Sequence, residues 1–465
     1  MTTQTDIAIL GTGPGGYVAA LRAAQLGAQV TVVEEGELGG VCLNVGCIPT
    51  KALLRSAEVY RTLQHAEAFG LQLEGQVKPN WTAIQARKER IVQQLVGGVG
   101  VLLRKAGVQA FRGRGWFATP RVLEVMTADG VQRIEAQHVV IATGSRPVQL
   151  SLPGMDLPGV IDSTAALAFE ELPRRLLIIG GGVIGVEFAE IFGAFGVQVT
   201  IVEMLSSLLP LMDADLGQSL ARTMGQRGVQ VLLDSRLTRI DTADNGIRAT
   251  VTTLGGQLIL ETDRVLVAVG RQPNSERIGL DLVGVHTEKT GIPVDAQMRT
   301  NVPAVFAVGD VTGSMQLAHV ASEGGKVAVE TALGHTSSLA LKTVPNCVYT
   351  NPEIASVGLT EKQAREAGHD VQVGRFPLHA SGKALTYGEI NGFVKIVSEK
   401  RFGEVLGLHI VAPHASDLIH EGGLALFLEA TMDELAATVH GHPTLGEAIH
   451  EAVLAAREGA IHLPR

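Results

Sequence analysis

One pattern occurs twice in this chain, and it restricts the possible folds more than any other feature. Residues 6–10 form a short apolar run with a turn signal behind it, which reads as a buried strand. Gly11-Thr12-Gly13-Pro14-Gly15-Gly16 follows, then a helical pattern over 17–26 that Gly27 ends, then a second apolar run over 29–33 closed by Glu34. The unit returns at 176–203. Gly180, Gly182 and Gly185 repeat Gly11, Gly13 and Gly16, and Glu203 repeats Glu34, each pair 169 positions apart. A lone G-x-G-x-x-G is weak evidence, because glycine-rich turns are frequent. Two in register, each with strand, helix and terminal acid, predict two β-turn-α-β units that take dinucleotides. The glycines let backbone approach a pyrophosphate, and the helix N-terminus offers unpaired N–H groups and positive partial charge. The acid accepts ribose hydroxyls. Glu203 would repel a 2′-phosphate, and residues 204–209 hold no Arg or Lys, so the second unit is expected to take NAD rather than NADP.

A chain of 465 residues is long enough for roughly two to four domains. The remaining pattern fills in around the two units. Helices are expected over 51–64, 80–105 and 316–333. Short strands are expected over 108–134, with turns at Gly113, Gly115 and Asp129-Gly130. A strand over 139–141 leaves through Ala142-Thr143-Gly144-Ser145-Arg146-Pro147, and one over 265–267 leaves through Ala268-Val269-Gly270-Arg271-Gln272-Pro273. These exits are candidate crossings between domains. Residues 305–310 read as a further strand closing on Asp310, which is either a holder of polyol hydroxyls or an ordinary turn residue. After Pro345 the character changes to an antiparallel sheet over 347–350, 394–397 and 405–409, with helices from Ser416 and Thr431.

The chain spends only three cysteines, and two of them, Cys42 and Cys47, lie five positions apart in Gly39-Gly40-Val41-Cys42-Leu43-Asn44-Val45-Gly46-Cys47-Ile48-Pro49-Thr50-Lys51. So few cysteines do not staple a small fold. Gly46 lets the intervening backbone bend, and Pro49 favours a helix start. Spacing leaves two readings open: a redox disulfide that opens and closes, or two buried structural thiols. The compartment bears on the choice. The first six residues carry no basic residue ahead of an apolar stretch, and the apolar region 176–202 is broken by glycines and by Glu187 and Glu190. A cytoplasmic protein is expected, where a disulfide is more often catalytic than structural. The net charge of −9 argues against general nucleic-acid binding. Cys347, with no near partner, is expected to be an inert buried thiol. Near the C-terminus, Pro443 is expected to begin a helix carrying Glu447 and His450, with His442 just before it. Glu447 could orient the His442 imidazole as a base. A metal site from His440, His442 and His450, or a solvated helix end, are the other readings.

Assembled in order, these segments resemble the dihydrolipoamide dehydrogenases, within the FAD-dependent pyridine nucleotide–disulfide oxidoreductases, over essentially the whole chain. Residues 39–54 match that family's redox motif almost residue for residue, and His442-Pro443-Thr444 with Glu447 matches its terminal motif. The resemblance implies an α/β fold class: two Rossmann-like dinucleotide-binding domains and a C-terminal α+β interface (dimerisation) domain. It implies an FAD-binding domain over 1–147 and 273–342, an NAD-binding domain over 148–272, and the interface domain over 343–465. It also implies site roles. Gly11, Gly13, Gly16, Glu34, Gly115, Asp310 and Ala318 would lie along FAD. Lys51 would stand near the flavin, paired with Glu187; by sequence alone each would pass for a surface charge. Gly180, Gly182, Gly185, Glu203, Gly270 and Arg271 would bind NAD. Cys42 would meet the substrate dithiol and Cys47 the flavin. His442, with Glu447, would be the acid–base catalyst and would come from the other subunit of a homodimer. Implied partners are the lipoyl domains of 2-oxo acid dehydrogenase complexes or of the glycine cleavage system, with no nucleic acid, membrane or metal.

Departures from the family pattern are small: Val41, Thr50, Val183, Gly441 and Gly446 stand where other residues are frequent, and none removes a reactive group. Within the fold, a glutathione- or mercuric-reductase-like enzyme is disfavoured by Glu203 and by a C-terminus without a thiol pair, and a soluble transhydrogenase would not need both Cys42 and Cys47. A non-catalytic flavin redox sensor would not need the His442–Glu447 pair.

Overall fold

The computed structural model describes residues 2–244 and 246–464. The strand Thr2–Leu10 lies inside a seven-stranded sheet, between Val30–Glu34 and Gly130–Ile141, parallel to both. Ile7, Ala8 and Ile9 are all fully buried. Ile7 and Ile9 pack on helix residues such as Ala19 and Val327, and Ala8 and Leu10 on strand residues such as Phe117 and Leu123, so both faces are covered and the run is continuously apolar rather than alternating. Val305–Ala307 pairs in parallel with Gly130–Ile141, and Val122–Thr127 and Arg114–Thr119 extend the sheet antiparallel. Register sets Leu10 opposite both Val33 and Ile141, and Ile141 opposite Ala307. The chain therefore leaves these strands at Gly11, Ala142 and Val308 along one carboxyl edge, where open α/β sheets take ligands.

The second unit repeats the plan. Arg175–Ile179 sits between Gln198–Val202 and Arg264–Val267 in a five-stranded parallel sheet, and helix Val183–Ala194 follows its glycine turn. A three-stranded antiparallel meander from Arg236 to Thr262 follows. The two exits noted in the sequence pair with each other: Ser145–Pro147 and Arg271–Pro273 form a two-stranded antiparallel ribbon, Arg271 opposite Pro147. The third unit is a five-stranded antiparallel sheet, with Val405–Ala412 between Glu353–Gly358 and Phe393–Glu399. Helices Ala415–Phe427 and Glu447–Arg457 pack into one apolar core with it, through residues such as Ile419, Ala448 and Ile410. Among the described residues, no helix is long and apolar enough to cross a membrane.

Helix Cys47–Gln64 packs against helix Val183–Ala194, and both share a core with Val348 and Phe393 of the third sheet. That packing brings the cysteine segment against the second unit.

Two expectations about elements are corrected. Gly115 is not a turn; it lies within Arg114–Thr119, where a side chain would come 2.7 Å from Leu10 Cδ1. The last helix begins at Glu447, not Pro443. Pro443 instead lies in the turn before it, after a cis peptide bond.

Candidate active site

The two glycine turns are built alike in atomic detail. Gly11 and Gly180 adopt φ of 102° and 107°, a left-handed region that favours glycine. A Cβ on Gly16 would lie 2.0 Å from the Gly11 carbonyl oxygen, and one on Gly185 the same 2.0 Å from that of Gly180. The outer glycines are thus required by the protein's own packing. The middle glycine is different. A Cβ on Gly182 would meet nothing within 4 Å, and one on Gly13 would meet only Gly40 Cα at 4.0 Å. Open space lies in front of each helix N-terminus, as a diphosphate requires. The acids repeat as well. Glu34 accepts from the Thr12 and Gly36 N–H groups, each at 2.8 Å. Glu203 accepts from the Gly181 and Leu205 N–H groups at 2.7 and 2.8 Å. The donors keep the offset of the glycines, and each carboxylate is fixed at the mouth of its turn with lone pairs to spare for ribose hydroxyls. Both cradles fit a dinucleotide.

The cysteine segment folds onto the first turn. Gly40, at φ 60°, brings its Cα so close to Gly13 that a Cβ would sit 2.6 Å from Gly13 Cα. A short helix Gly40–Asn44 carries Cys42, and Cys47 opens helix Cys47–Gln64. Gly46 serves close approach rather than a left-handed bend: its φ is −140°, and a Cβ there would lie 2.9 Å from the Val41 carbonyl oxygen. The expected S–S bond is not formed in this structure; Cys42 and Cys47 stand as thiols sharing a hydrogen bond. That hydrogen bond holds the proton on Cys42, whose pKa is raised. It lowers Cys47 to about 7, against the opposing effect of burial and with help from the Lys51 charge. A thiol at a helix N-terminus beside a lysine is in the environment that favours thiolate.

Lys51, one turn further along, donates to Glu187 Oε1 and Oε2 at 3.0 and 2.8 Å. Glu187 is only 3% exposed and comes from the helix behind the second glycine turn. The Tyr349 N–H donates to the same carboxylate at 3.0 Å, and its ring lies 4.5 Å from Lys51 Nζ. Arg61 and Glu190, at 2.5 Å, tie the same two helices a second time.

All of this opens on one cavity of 2810 Å³, whose wall includes both glycine turns, both cysteines, Lys51 and Glu187. Single ligand sites are commonly about 300–1,000 Å³, so there is room for more than one ligand. Asp310, Ala318, Gly115 and Gly270 are also in the wall. Asp310 is more than a turn residue. It accepts from Ser145 Oγ at 2.5 Å, and Ser145 Oγ in turn accepts from Arg271 Nε at 2.7 Å. Arg271, expected beside the second dinucleotide, is thus turned toward the acid of the first unit, 3.9 Å from it. Cys347 is half-buried and in the cavity wall rather than fully buried, while burial pushes its thiol up to about 11, in keeping with the expected inertness.

One pair lies apart. His442 Nδ1 is 2.8 Å from Glu447 Oε1, and Glu447 Oε2 accepts from the Thr444 N–H at 2.7 Å. Burial works to raise the Glu447 carboxyl, but the Thr444 N–H and the His442 ring hold it below its ordinary value. The His442 side chain is 79% exposed and is not in the cavity wall. One chain alone does not bring it to the cysteines. The neighbouring His440 has both ring nitrogens engaged, with Thr438 O and Glu421 Oε1, so the three-histidine metal reading loses a ligand.

Ser145 and Tyr349 escaped the sequence reading. Each acts across more than a hundred residues of chain, on Asp310 and Glu187. For Ser145 a signal existed: the two A-x-G-x-x-P exits are alike, and like segments that pair place their side chains together.

A search of family descriptions matches residues 5–325 to the pyridine nucleotide-disulphide oxidoreductases and residues 344–453 to that family's dimerisation domain. Among curated proteins, the chain is 43% identical to a dihydrolipoyl dehydrogenase of Bacillus subtilis, over 99% of this chain and 100% of that one. It is 41% identical to the mitochondrial dihydrolipoyl dehydrogenase of Pisum sativum, over 99% and 93%. Among solved structures, LpdA of Mycobacterium tuberculosis superposes with a TM-score of 0.89 at 32% identity, over 97% of this chain and 99% of that one. The HOCl-induced flavoprotein disulfide reductase RclA of Escherichia coli, in its Cu(II) complex, superposes with a TM-score of 0.87 at 28% identity, over 97% and 99%. With paired thiols beside two dinucleotide cradles and likeness along its whole length, the chain belongs to the pyridine nucleotide-disulphide oxidoreductase family.

Proposed function

We propose that this protein is a dihydrolipoyl dehydrogenase, which oxidises the dihydrolipoamide of lipoyl domains and reduces NAD, with FAD between them. The observation that carries the reading is the opening of the Cys42–Cys47 pair onto the same cavity as both glycine cradles. The first cradle, with Glu34, Gly115, Asp310 and Ala318, would hold FAD; the second, with Glu203, would hold NAD. Bound FAD supplies a two-electron carrier between the thiols and NAD.

The chain's own residues account for the sulfur chemistry. A substrate dithiol is mostly protonated at neutral pH, since free thiols titrate near about 8.5, and only the thiolate attacks. With Nδ1–H donated to Glu447, neutral His442 keeps Nε2 free to take that proton. The substrate thiolate attacks Cys42 Sγ of the oxidised pair, the Cys42–Cys47 bond breaks, and Cys47 leaves as thiolate. Its pKa of about 7 makes it a good leaving group. The second substrate thiol attacks the mixed disulfide, and its proton passes to Cys42 Sγ as the bond between Cys42 and the substrate breaks. Cyclic lipoamide leaves, and the first proton stays on His442 until solvent takes it. The reduced pair then holds one proton on Cys42, whose pKa is raised, and the negative charge on Cys47, whose pKa is lowered. The Lys51 ammonium, held by buried Glu187, stabilises that charge.

The exposed His442 supports a homodimer in which each chain's histidine serves the other's cysteines. The four-segment domain division and a cytoplasmic location belong to the same reading. A steady-state assay of the FAD-loaded protein with dihydrolipoamide tests it. NAD reduction that outpaces NADP reduction by well over tenfold is expected; equal use of both, or none of either, would overturn it.

A further inference from the structure

The second cradle is bounded by more than its glycine turn. The segment after Glu203 runs along it: Leu205, Leu209 and Met212 are in the cavity wall, and the Leu209 N–H donates to the Gly181 carbonyl at 2.9 Å. The helix that follows, Ala214–Gln226, presses on this segment so closely that a Cβ on Gly217 would lie 2.1 Å from the Leu208 carbonyl oxygen. Asp213 joins the two. It caps that helix through the Asp215 N–H, yet the residue is only 3% exposed, and its carboxylate reaches the antiparallel sheet of the third unit.

There it meets Lys395. This lysine is 4% exposed, in the strand Phe393–Glu399, and its Nζ lies 3.0 Å from Asp213, 3.0 Å from Asp215 and 2.9 Å from Glu361. Asp213 Oδ2 also accepts from the Glu361 N–H at 3.2 Å. Arg375 lies 3.6 Å from Asp215, and Arg365 lies 2.9 Å from Glu361, so three cations balance three carboxylates across the junction. Buried ion pairs are poor sources of stability but fix one arrangement over others.

We infer that Lys395 is a positioning residue for the dinucleotide acceptor: through Asp213 it fixes the 204–213 wall of the second cradle to the third sheet. The inference rests on the NAD reading above. It separates the two ends of the reaction, because the wall borders the second cradle and Lys395 touches none of the groups that handle sulfur.

The test uses the FAD-loaded enzyme with Lys395→Met and, independently, Asp213→Asn, which keeps a capping acceptor and loses the charge. KM for NAD is expected to rise about tenfold in both, within the usual range for coupled positions, with kcat at saturating NAD largely kept. Anaerobic reduction of the bound flavin by dihydrolipoamide should proceed at the wild-type rate. If Lys395→Met does not fold, Asp213→Asn carries the test. A KM for NAD within twofold of wild type in a folded variant would overturn the inference. So would a parallel loss in flavin reduction, which would mark a general structural role. A wild-type protein that reduces no NAD would instead remove the functional reading, and this inference with it.

Discussion

Cys47 stands where several influences act on one sulfur: a hydrogen bond from Cys42, the Lys51 charge, burial, and the Glu187 charge, which opposes the thiolate. The first and third of these favour and oppose the thiolate respectively, and Lys51 adds to the favouring side. The thiol of the reduced pair should therefore titrate at about 7, below the ordinary value of about 8.5. Because the pKa is depressed, the thiolate is present above that pH and is lost as pH falls through it. Thiolate absorbance of the reduced protein across pH measures this. Lys51→Met should move the titration upward, since it removes a cation and leaves the Glu187 charge uncompensated; an unmoved titration would mean Lys51 does not act on Cys47. At this scale the sequence was informative about residue types and silent about partners. Lys51 and Glu187 look like surface charges in a linear reading. Their pairing depends on two helices crossing, which no local pattern encodes.

At the scale of elements, the repeated turn makes its own prediction. Gly16→Ala would drive a methyl into the Gly11 carbonyl oxygen, so the first turn should open and FAD retention should fail. Gly182→Ala meets no protein atom within 4 Å. It should leave the melting temperature within a few degrees of wild type while raising KM for NAD at least tenfold, because the methyl occupies cofactor space. Thermal unfolding and steady-state kinetics on the two variants check the contrast; equal damage to stability from both would contradict it. The elements were well legible, for a physical reason. Buried parallel strands are short continuous apolar runs, and two of them leave through Gly11 and Gly180, whose left-handed φ favours glycine. Reading failed where a glycine or proline had two possible uses. Gly115 reads as a turn in the sequence and lies in a strand, making room for Leu10. Pro443 reads as a helix start and belongs to the turn before one.

The whole molecule poses the question of where the base comes from. His442 is exposed and outside the cavity of its own chain, and residues 344–453 match a dimerisation domain. If the active sites are shared, Cys42→Ser and His442→Gln homodimers should each be impaired. The first should be inactive, and the second should lose about 10²–10⁴ in rate, as loss of a general base does. Mixed dimers would then contain one intact site, and random reassociation of equal amounts should restore about a quarter of wild-type activity, from two-fold symmetry. No recovery would place the base elsewhere. Nothing in a single sequence distinguishes a residue serving its own chain from one serving another, so this feature rests on exposure and on likeness to relatives.

The central claim is that an electron pair passes from a small dithiol to Cys42–Cys47 and on through FAD to NAD. Anaerobic titration of the FAD-loaded protein with dihydrolipoamide tests it most directly. One equivalent per active site should produce a long-wavelength absorption from the Cys47 thiolate against the flavin, and added NAD should abolish it with formation of NADH. A flavin that stays fully oxidised without that band, or one that responds identically in the Cys47→Ser protein, would contradict the account.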